Sequence, residues 1–232
     1  MEITVIRTNK TALIFGATGL VGGYVLQLAL AADAYTSVVA FTRGPLSITH
    51  PKLKNVVINF DKLSDYKKEI VGDDLFLCLG TTIKKAGSEA AFTTVDFDYP
   101  LAAAKIAQAN GVNQVLLCSA VDADATSKIF YNRVKGQLED ALKALNFNAL
   151  HIFQPSLLLG ERNENRFGES VAKVVGKFLD KIIGGLLSKY RPVEGETVAA
   201  AMVKSAQIRT RPDSFFGRGG VFVHASHKLS EI

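Results

Sequence analysis

Thr11-Ala12-Leu13-Ile14-Phe15-Gly16-Ala17-Thr18-Gly19-Leu20-Val21-Gly22 decides the fold. The apolar run over 11–15 reads as a strand, the glycines at 16, 19 and 22 as a tight turn, and Leu20 to Ala31 as a helix. Each glycine has a steric reason in such a turn. Gly16 permits the sharp reversal, Gly19 lets main-chain N–H groups approach a phosphate, and Gly22 lets the helix pack on the strand. The helix N-terminus adds positive potential at the same point. The spacing is G-x-x-G-x-x-G, not the commoner G-x-G-x-x-G, so two readings stand: a dinucleotide site, or a glycine turn with only a structural purpose.

The alternation continues along the chain. Ser37–Phe41, Asn55–Phe60, Leu75–Leu79, Gln114–Ser119 and Ala149–Phe153 are short runs rich in Val, Leu, Ile and Phe, and with 11–15 they predict six strands. Helices are expected over Glu89–Asn110, closed by Gly111, and over Lys128–Leu145. Connections of that length exclude hairpins, and apolar runs without alternation fit strands covered on both faces. The expected fold is α/β, a doubly wound parallel sheet. Beyond Pro155 the pattern changes. A polar segment from Gly160 to Gly168 precedes an amphipathic helix carrying Val171, Val174, Val175, Phe178, Ile182 and Leu186. A helix near Val198 to Ala206 and a strand at Val221–His224 then complete a small C-terminal, substrate-side cap. We expect a single domain over 1–232, with 155–232 as its smaller, substrate-side region.

Composition excludes several classes. With 48% hydrophobic and 21% charged residues the chain has too much apolar material to remain disordered. The net charge of +5 is spread along the sequence, which fits a small phosphorylated ligand and gives no basic block for nucleic acid. No run reaches the roughly 18 apolar residues of a membrane span. The N-terminal Met1 to Arg7 lacks the features of a secretory signal, so the expected location is cytoplasmic. Cys78 and Cys118 lie inside apolar strands and read as small hydrophobes. His50 and His151 are isolated and His224 and His227 have no third ligand nearby, so no metal site is expected.

The end of the second strand selects among dinucleotides. An acidic residue there would bind a ribose 2′-hydroxyl, but the chain reads Phe41-Thr42-Arg43-Gly44. An arginine fork can pair with a 2′-phosphate, which favours NADP(H) over NAD(H), with Thr42 and Arg43 on the cofactor; the alternative is an ordinary exposed arginine. Asp61, after the third strand, is placed to accept from an adenine amino group, or to serve as a turn or cap residue.

Tyr131-Asn132-Arg133-Val134-Lys135 opens the fifth-strand helix, and i,i+4 spacing puts Tyr131 and Lys135 on one face. At ~100° per residue, Val134, Leu138, Leu142 and Leu145 form an apolar stripe with Tyr131 inside it and Lys135 at its edge. A phenol with its usual pKa of ~10 is a poor acid-base catalyst at neutral pH. A lysine charge about 4 Å away favours phenolate by at most ~4 kcal/mol at an effective dielectric of ~20, roughly three pKa units. Ser119 ends the fifth strand, where parallel sheets present ligand-binding residues, and can hold a carbonyl oxygen beside the phenol. Singly these are a core aromatic, a snorkelling lysine and a strand terminus. Together, in this order on this fold, they favour the catalytic reading over the structural one.

At these residues the sequence resembles the short-chain dehydrogenase/reductase superfamily, in particular its atypical, Tat-interacting-protein-like, NADP(H)-binding members. The likeness is carried by the glycine turn, Cys78-Leu79-Gly80-Thr81-Thr82, Ala86-Gly87, Val95-Asp96, Asp98-Tyr99, Ser119, Tyr131, Val134-Lys135-Gly136, Pro155 and Glu161-Arg162-Asn163-Glu164-Asn165-Arg166. The resemblance implies Ser119, Tyr131 and Lys135 as the catalytic triad, with Lys135 also on the nicotinamide ribose. It implies Thr18, Gly19, Leu20, Val21, Leu79, Gly80 and Thr81 along the cofactor, and Pro155, Ser156 and Leu157 beside the nicotinamide. Thr82, Lys85, Arg162 and Arg166 then face the substrate. The stretch after the sixth strand is short beside that of sugar-nucleotide epimerases of the superfamily, which argues against a large sugar-nucleotide substrate. The expected activity is NADP(H)-dependent hydride transfer to or from a small carbonyl or alcohol. A non-catalytic NADP(H)-sensing regulator with a protein partner is the alternative; nucleic-acid and membrane partners are not expected.

Overall fold

The computed structural model describes residues 9–160, 190–207 and 220–232. The opening stretch folds as its pattern requires, into β1 (Lys10–Phe15), a glycine turn and α1 (Leu20–Ala31). β2 (Tyr35–Thr42), β3 (Leu53–Val57), β4 (Asp74–Leu77), β5 (Gln114–Cys118) and β6 (Ala149–Gln154) supply the other five expected strands. A seventh, β9 (Gly220–Ala225), pairs with β6, so the strand expected in a C-terminal cap extends the main sheet itself. The order is β3-β2-β1-β4-β5-β6-β9, with every pairing parallel. This is the doubly wound sheet that uninterrupted apolar strands dictate.

Two apolar layers cover the sheet. On one face Val21, Val25 and Ala29 of α1 meet Val198, Ala199 and Met202 of α6 (Gly195–Gln207). On the other, Ala103, Ala104 and Ala107 of α4 (Tyr99–Ala109) and Leu138 and Leu142 of α5 (Phe130–Lys143) pack on Leu13, Phe15, Leu75 and Leu117. Two short strands, β7 (Leu158–Leu159) and β8 (Val193–Glu194), pair near the start of α1. A Cβ on Gly195 would lie 2.7 Å from Leu20 Cγ, so only glycine lets this ribbon sit so close. The amphipathic helix expected from Val171 to Leu186 lies outside the described residues. No helix among those described is long and apolar enough to cross a membrane.

Two boundaries depart from the sequence pattern. The third strand stops at Val57, short of the expected Phe60, because the Asn59 side chain accepts from Asp61 N–H and turns the chain into a 3₁₀ turn over Phe60–Tyr66. The helix expected over Glu89–Asn110 is broken into α3 (Glu89–Thr93), a π-turn (Thr94–Asp98) and α4. Pro100 lacks the N–H that would bond one turn back, and a widened turn accommodates the loss.

Candidate functional site

The order in which successive strands are added to the sheet reverses between β1 and β4, and the carboxyl ends of β1, β4 and β5 deliver Gly16, Cys78 and Ser119 to one crevice. Parallel sheets bind ligands at such a switch point. Gly16 has φ +96°, and a Cβ there would lie 2.4 Å from Cys78 O. A Cβ on Gly22 would fall 2.1 Å from Gly16 O, so neither position accepts a side chain. Gly19 stands at the N-cap of α1, which has no side-chain cap and no acidic residue in its first turn. Its N–H groups and positive dipole end therefore suit an anion.

The crevice holds a cavity of about 690 Å³, within the range of ligand pockets. Its walls include Thr18, Gly19, Leu20 and Val21 from the glycine turn, and Leu79, Gly80, Thr81, Thr82 and Lys85 from the segment after β4. Ser119, Tyr131 and Lys135 close it from β5 and α5. Three distant segments thus meet as the sequence pattern requires.

Lys135 is 4% exposed, more deeply set than a residue at the edge of a stripe. Its Nζ lies 2.7 Å from Asp96 Oδ1, and Thr81 N–H donates to Asp96 Oδ2 at 2.8 Å. Burial pulls the ammonium pKa down, but the Asp96 and Tyr131 oxygens outweigh it and hold the lysine above its ordinary value. The Tyr131 ring packs against fully buried Phe92, 5.7 Å between centroids. Ser119 donates to Glu139 Oε1 at 2.5 Å, and Gln154 Nε2 donates to both Glu139 oxygens at 3.0 and 3.2 Å. Burial, opposed by these donors, raises the Glu139 carboxyl. It pushes the Cys118 thiol up to about 11 and raises the Cys78 thiol as well, so both remain neutral.

Asp96 and Glu139 were not singled out by the sequence as site residues. Glu139 had a signal: it stands four residues beyond Lys135, as Lys135 stands beyond Tyr131, so all three share a face of α5. Asp96 had a weaker one, Pro100 inside a helical pattern.

The remaining expected residues lie apart from the cavity wall. Gly16 and Gly22 pack beneath it. Thr42 is buried, donating to Gly44 O and accepting from Asn55, both at 2.7 Å. Asp61 accepts from the Tyr99 hydroxyl at 2.6 Å; this bond, foremost, pushes the phenol up to about 12, while the Arg43 charge opposes it. Arg43, just after β2, and Asp61, beyond β3, thereby both act on the Tyr99 hydroxyl. Pro155, Ser156 and Leu157 form a strap. Pro155 O accepts from Val121 N–H, Leu157 O from Val193 N–H, and Ser156 N–H donates to Ser226 Oγ. Arg162 and Arg166 lie outside the described residues. Among the described residues no three His, Cys, Asp or Glu side chains are grouped to hold a metal ion.

Comparison with known proteins places this geometry. A family model described as NAD(P)H-binding matches residues 16–158. Protein HTATIP2 of Rattus norvegicus is 36% identical over 201 residues, covering 85% of this chain and 81% of its own. Protein FMP52, mitochondrial, of Candida albicans is 32% identical over 204 residues, covering 85% and 88%. Among solved structures, a UDP-N-acetylglucosamine 4-epimerase from Methanobrevibacter ruminantium superposes with a TM-score of 0.68 at 14% identity, over 94% of this chain and 77% of that one. A short chain dehydrogenase family protein from Francisella tularensis gives 0.65 at 14% identity, over 97% and 100%. These likenesses show the shared fold.

The comparisons correct one expectation. The cytoplasmic location read from the N-terminus does not stand, because the FMP52 relatives from Candida albicans and Eremothecium gossypii are named mitochondrial. Lack of a secretory apolar run never bore on that destination, since mitochondrial targeting reads an amphipathic, arginine-rich pattern. The matched family model and the identity to HTATIP2 and FMP52 proteins show that the chain belongs to the NAD(P)H-binding family.

Proposed function

We propose that the protein is an NADP(H)-dependent oxidoreductase acting on a small carbonyl or alcohol. The observation that carries this reading is the convergence of Ser119, Tyr131 and Lys135 on the cavity bounded by the glycine turn. The cavity suits the cofactor: the crowded glycines leave room only for backbone, and the uncapped start of α1 offers N–H groups to a pyrophosphate. Gly19 to Val21 would hold the phosphates, Leu79 to Thr81 the middle of the dinucleotide, Lys135 the nicotinamide ribose, and Pro155 to Leu157 the far side. Arg43 would pair with a 2′-phosphate, and Asp61, with one oxygen on Tyr99, retains another for an adenine amino group. Bound there, the nicotinamide supplies or takes the hydride.

The chain's own part is the proton and the alignment. Tyr131 gives its phenolic proton to a carbonyl oxygen, or takes one from a hydroxyl, while Phe92 fixes the ring. Ser119 directs its one proton to Glu139, so in this arrangement it does not donate to a carbonyl oxygen as its place at the end of β5 suggested; it has lone pairs left to which a substrate or tyrosine hydroxyl can donate. Thr82 and Lys85 would meet the substrate from the segment after β4.

Tyr131→Phe tests the assignment. Turnover found in a carbonyl-compound screen with NADPH should fall by at least ~100-fold, the scale of general acid-base catalysis, with NADPH affinity by fluorescence titration nearly unchanged. Unaltered turnover would refute the role of Tyr131. NADPH binding with no turnover across the screen would favour a sensing function.

A further inference from the structure

Lys135 does not enter the site as a lone cation. Its ammonium and the Asp96 carboxylate form a pair whose side chains are only 5% and 1% exposed. The π-turn before Pro100 aims Asp96 inward, and Thr81 N–H fixes its second oxygen. Gly80 leaves the pair against the cavity: a Cβ there would lie 3.4 Å from Asp96 Oδ1 and 3.8 Å from Lys135 Nζ.

The titratable groups that act on Lys135 from the surrounding elements are Asp96 on the π-turn, Tyr131 one turn back on α5, Cys118 on β5 and Cys78 just after β4. The two thiols are neutral, so the Lys135 charge is met directly by the Asp96 carboxylate 2.7 Å away, while Lys85 lines the same cavity and Glu139, bonded to Ser119, stands one turn further along α5. A solitary lysine would draw the phenol strongly toward phenolate, whereas a lysine already matched by a carboxylate draws it much less. We propose that Asp96 is a positioning residue that acts through Lys135: it cancels the lysine charge and keeps Tyr131 protonated, poising the site to donate a proton to a carbonyl.

This rests on reading Tyr131 as the proton carrier, but its test needs neither cofactor nor substrate. The full chain, labelled with ¹³C at the tyrosine ring carbon bearing oxygen, is titrated by NMR, with the Tyr131 signal assigned by its loss in Tyr131→Phe. In Asp96→Asn, which retains an acceptor for Thr81 N–H, the phenol should ionise at a pH lower by about one unit or more. Ionisation at an unchanged or higher pH would overturn the proposal. Should Asp96→Asn fail to fold, Lys135→Gln reads the same charge from the other side. Tyr131 should then ionise above the ordinary tyrosine value of ~10, and a value at or below it would equally overturn the proposal. If the phenol fails to respond to Asp96 while Tyr131→Phe still abolishes turnover, Tyr131 remains the proton carrier and only the role of Asp96 is lost.

Discussion

Two buried lysine–aspartate pairs sit at opposite ends of the same sheet, and their surroundings separate structure from chemistry. Lys10, Tyr35, Asp74 and Gln114 are the first residues of β1, β2, β4 and β5. Lys10 pairs with Asp74, Tyr35 donates to Asp74 at 2.6 Å, and Gln114 donates to Asp74 at 2.7 Å. Lys10 and Gln114 each also donate to Ala206 O of α6 at 2.8 Å. Every group is satisfied and α6 closes the cluster, so it ties four strands and a helix together. At the carboxyl ends, Lys135 and Asp96 have the same side-chain exposures, 5% and 1%, as Lys10 and Asp74, yet their pair forms part of a cavity wall. The same ion pair is a clamp where protein surrounds it and lies within reach of a ligand where a cavity adjoins it.

The largest expected effect breaks the clamp. Asp74→Ala leaves buried Lys10 without its counter-charge and the Tyr35 hydroxyl without its acceptor and should cost about 3–5 kcal/mol, whereas Asp96→Ala, whose lysine can reach cavity water, should cost clearly less. Urea denaturation of both variants measures the gap, and equal losses would erase the distinction.

A third polar cluster sharpens the contrast, because no opposite charge pairs with it among the described residues. His151 Nδ1 lies 3.2 Å from His224 Nε2, and burial first, then the His224 charge, brings the His151 pKa down to about 4. The unfolded imidazole protonates near ~6.5, so the unfolded chain binds more protons between these values and stability is lost as pH falls through that window. The loss should reach up to about 3 kcal/mol, and His151→Phe should remove most of it in melting temperatures taken from pH 7 to 4. An unchanged pH dependence would assign the loss elsewhere.

The smallest effect lies on the cavity side. The Glu139 pKa is raised in the folded chain, so its contribution is fully present below the unfolded glutamate value of ~4.3 and is lost as pH rises through the folded value. Glu139→Gln should therefore match or slightly exceed the parent at pH 7, within ~1 kcal/mol, and lose that advantage toward pH 4. A loss of more than about 2 kcal/mol at pH 7 would show that the carboxylate itself holds this region together.

Much of this was legible because it is local. The strand–glycine–helix opening and the shared face of Tyr131 and Lys135 follow from period and spacing. The π-turn was not, since helical periodicity over Glu89–Asn110 carries no measure of how a missing N–H at Pro100 is absorbed. The partner of Ser119 was hidden for another reason: Glu139 reads as a solvated helix charge until β5 and β6 bring Ser119 and Gln154 to it. Likewise Val221–His224 reads as a strand, but only pairing with β6 makes it the seventh of the sheet.

By itself the sequence determined the layered fold, the phosphate-adapted turn and the three side chains at the crevice, because each depends on neighbours a few residues apart. Tertiary structure alone decided which charges those side chains meet. Asp96, Glu139 and Asp74 acquire their partners across 39, 20 and 64 positions of chain respectively, and the electrostatics of a buried group are set by what is near in space.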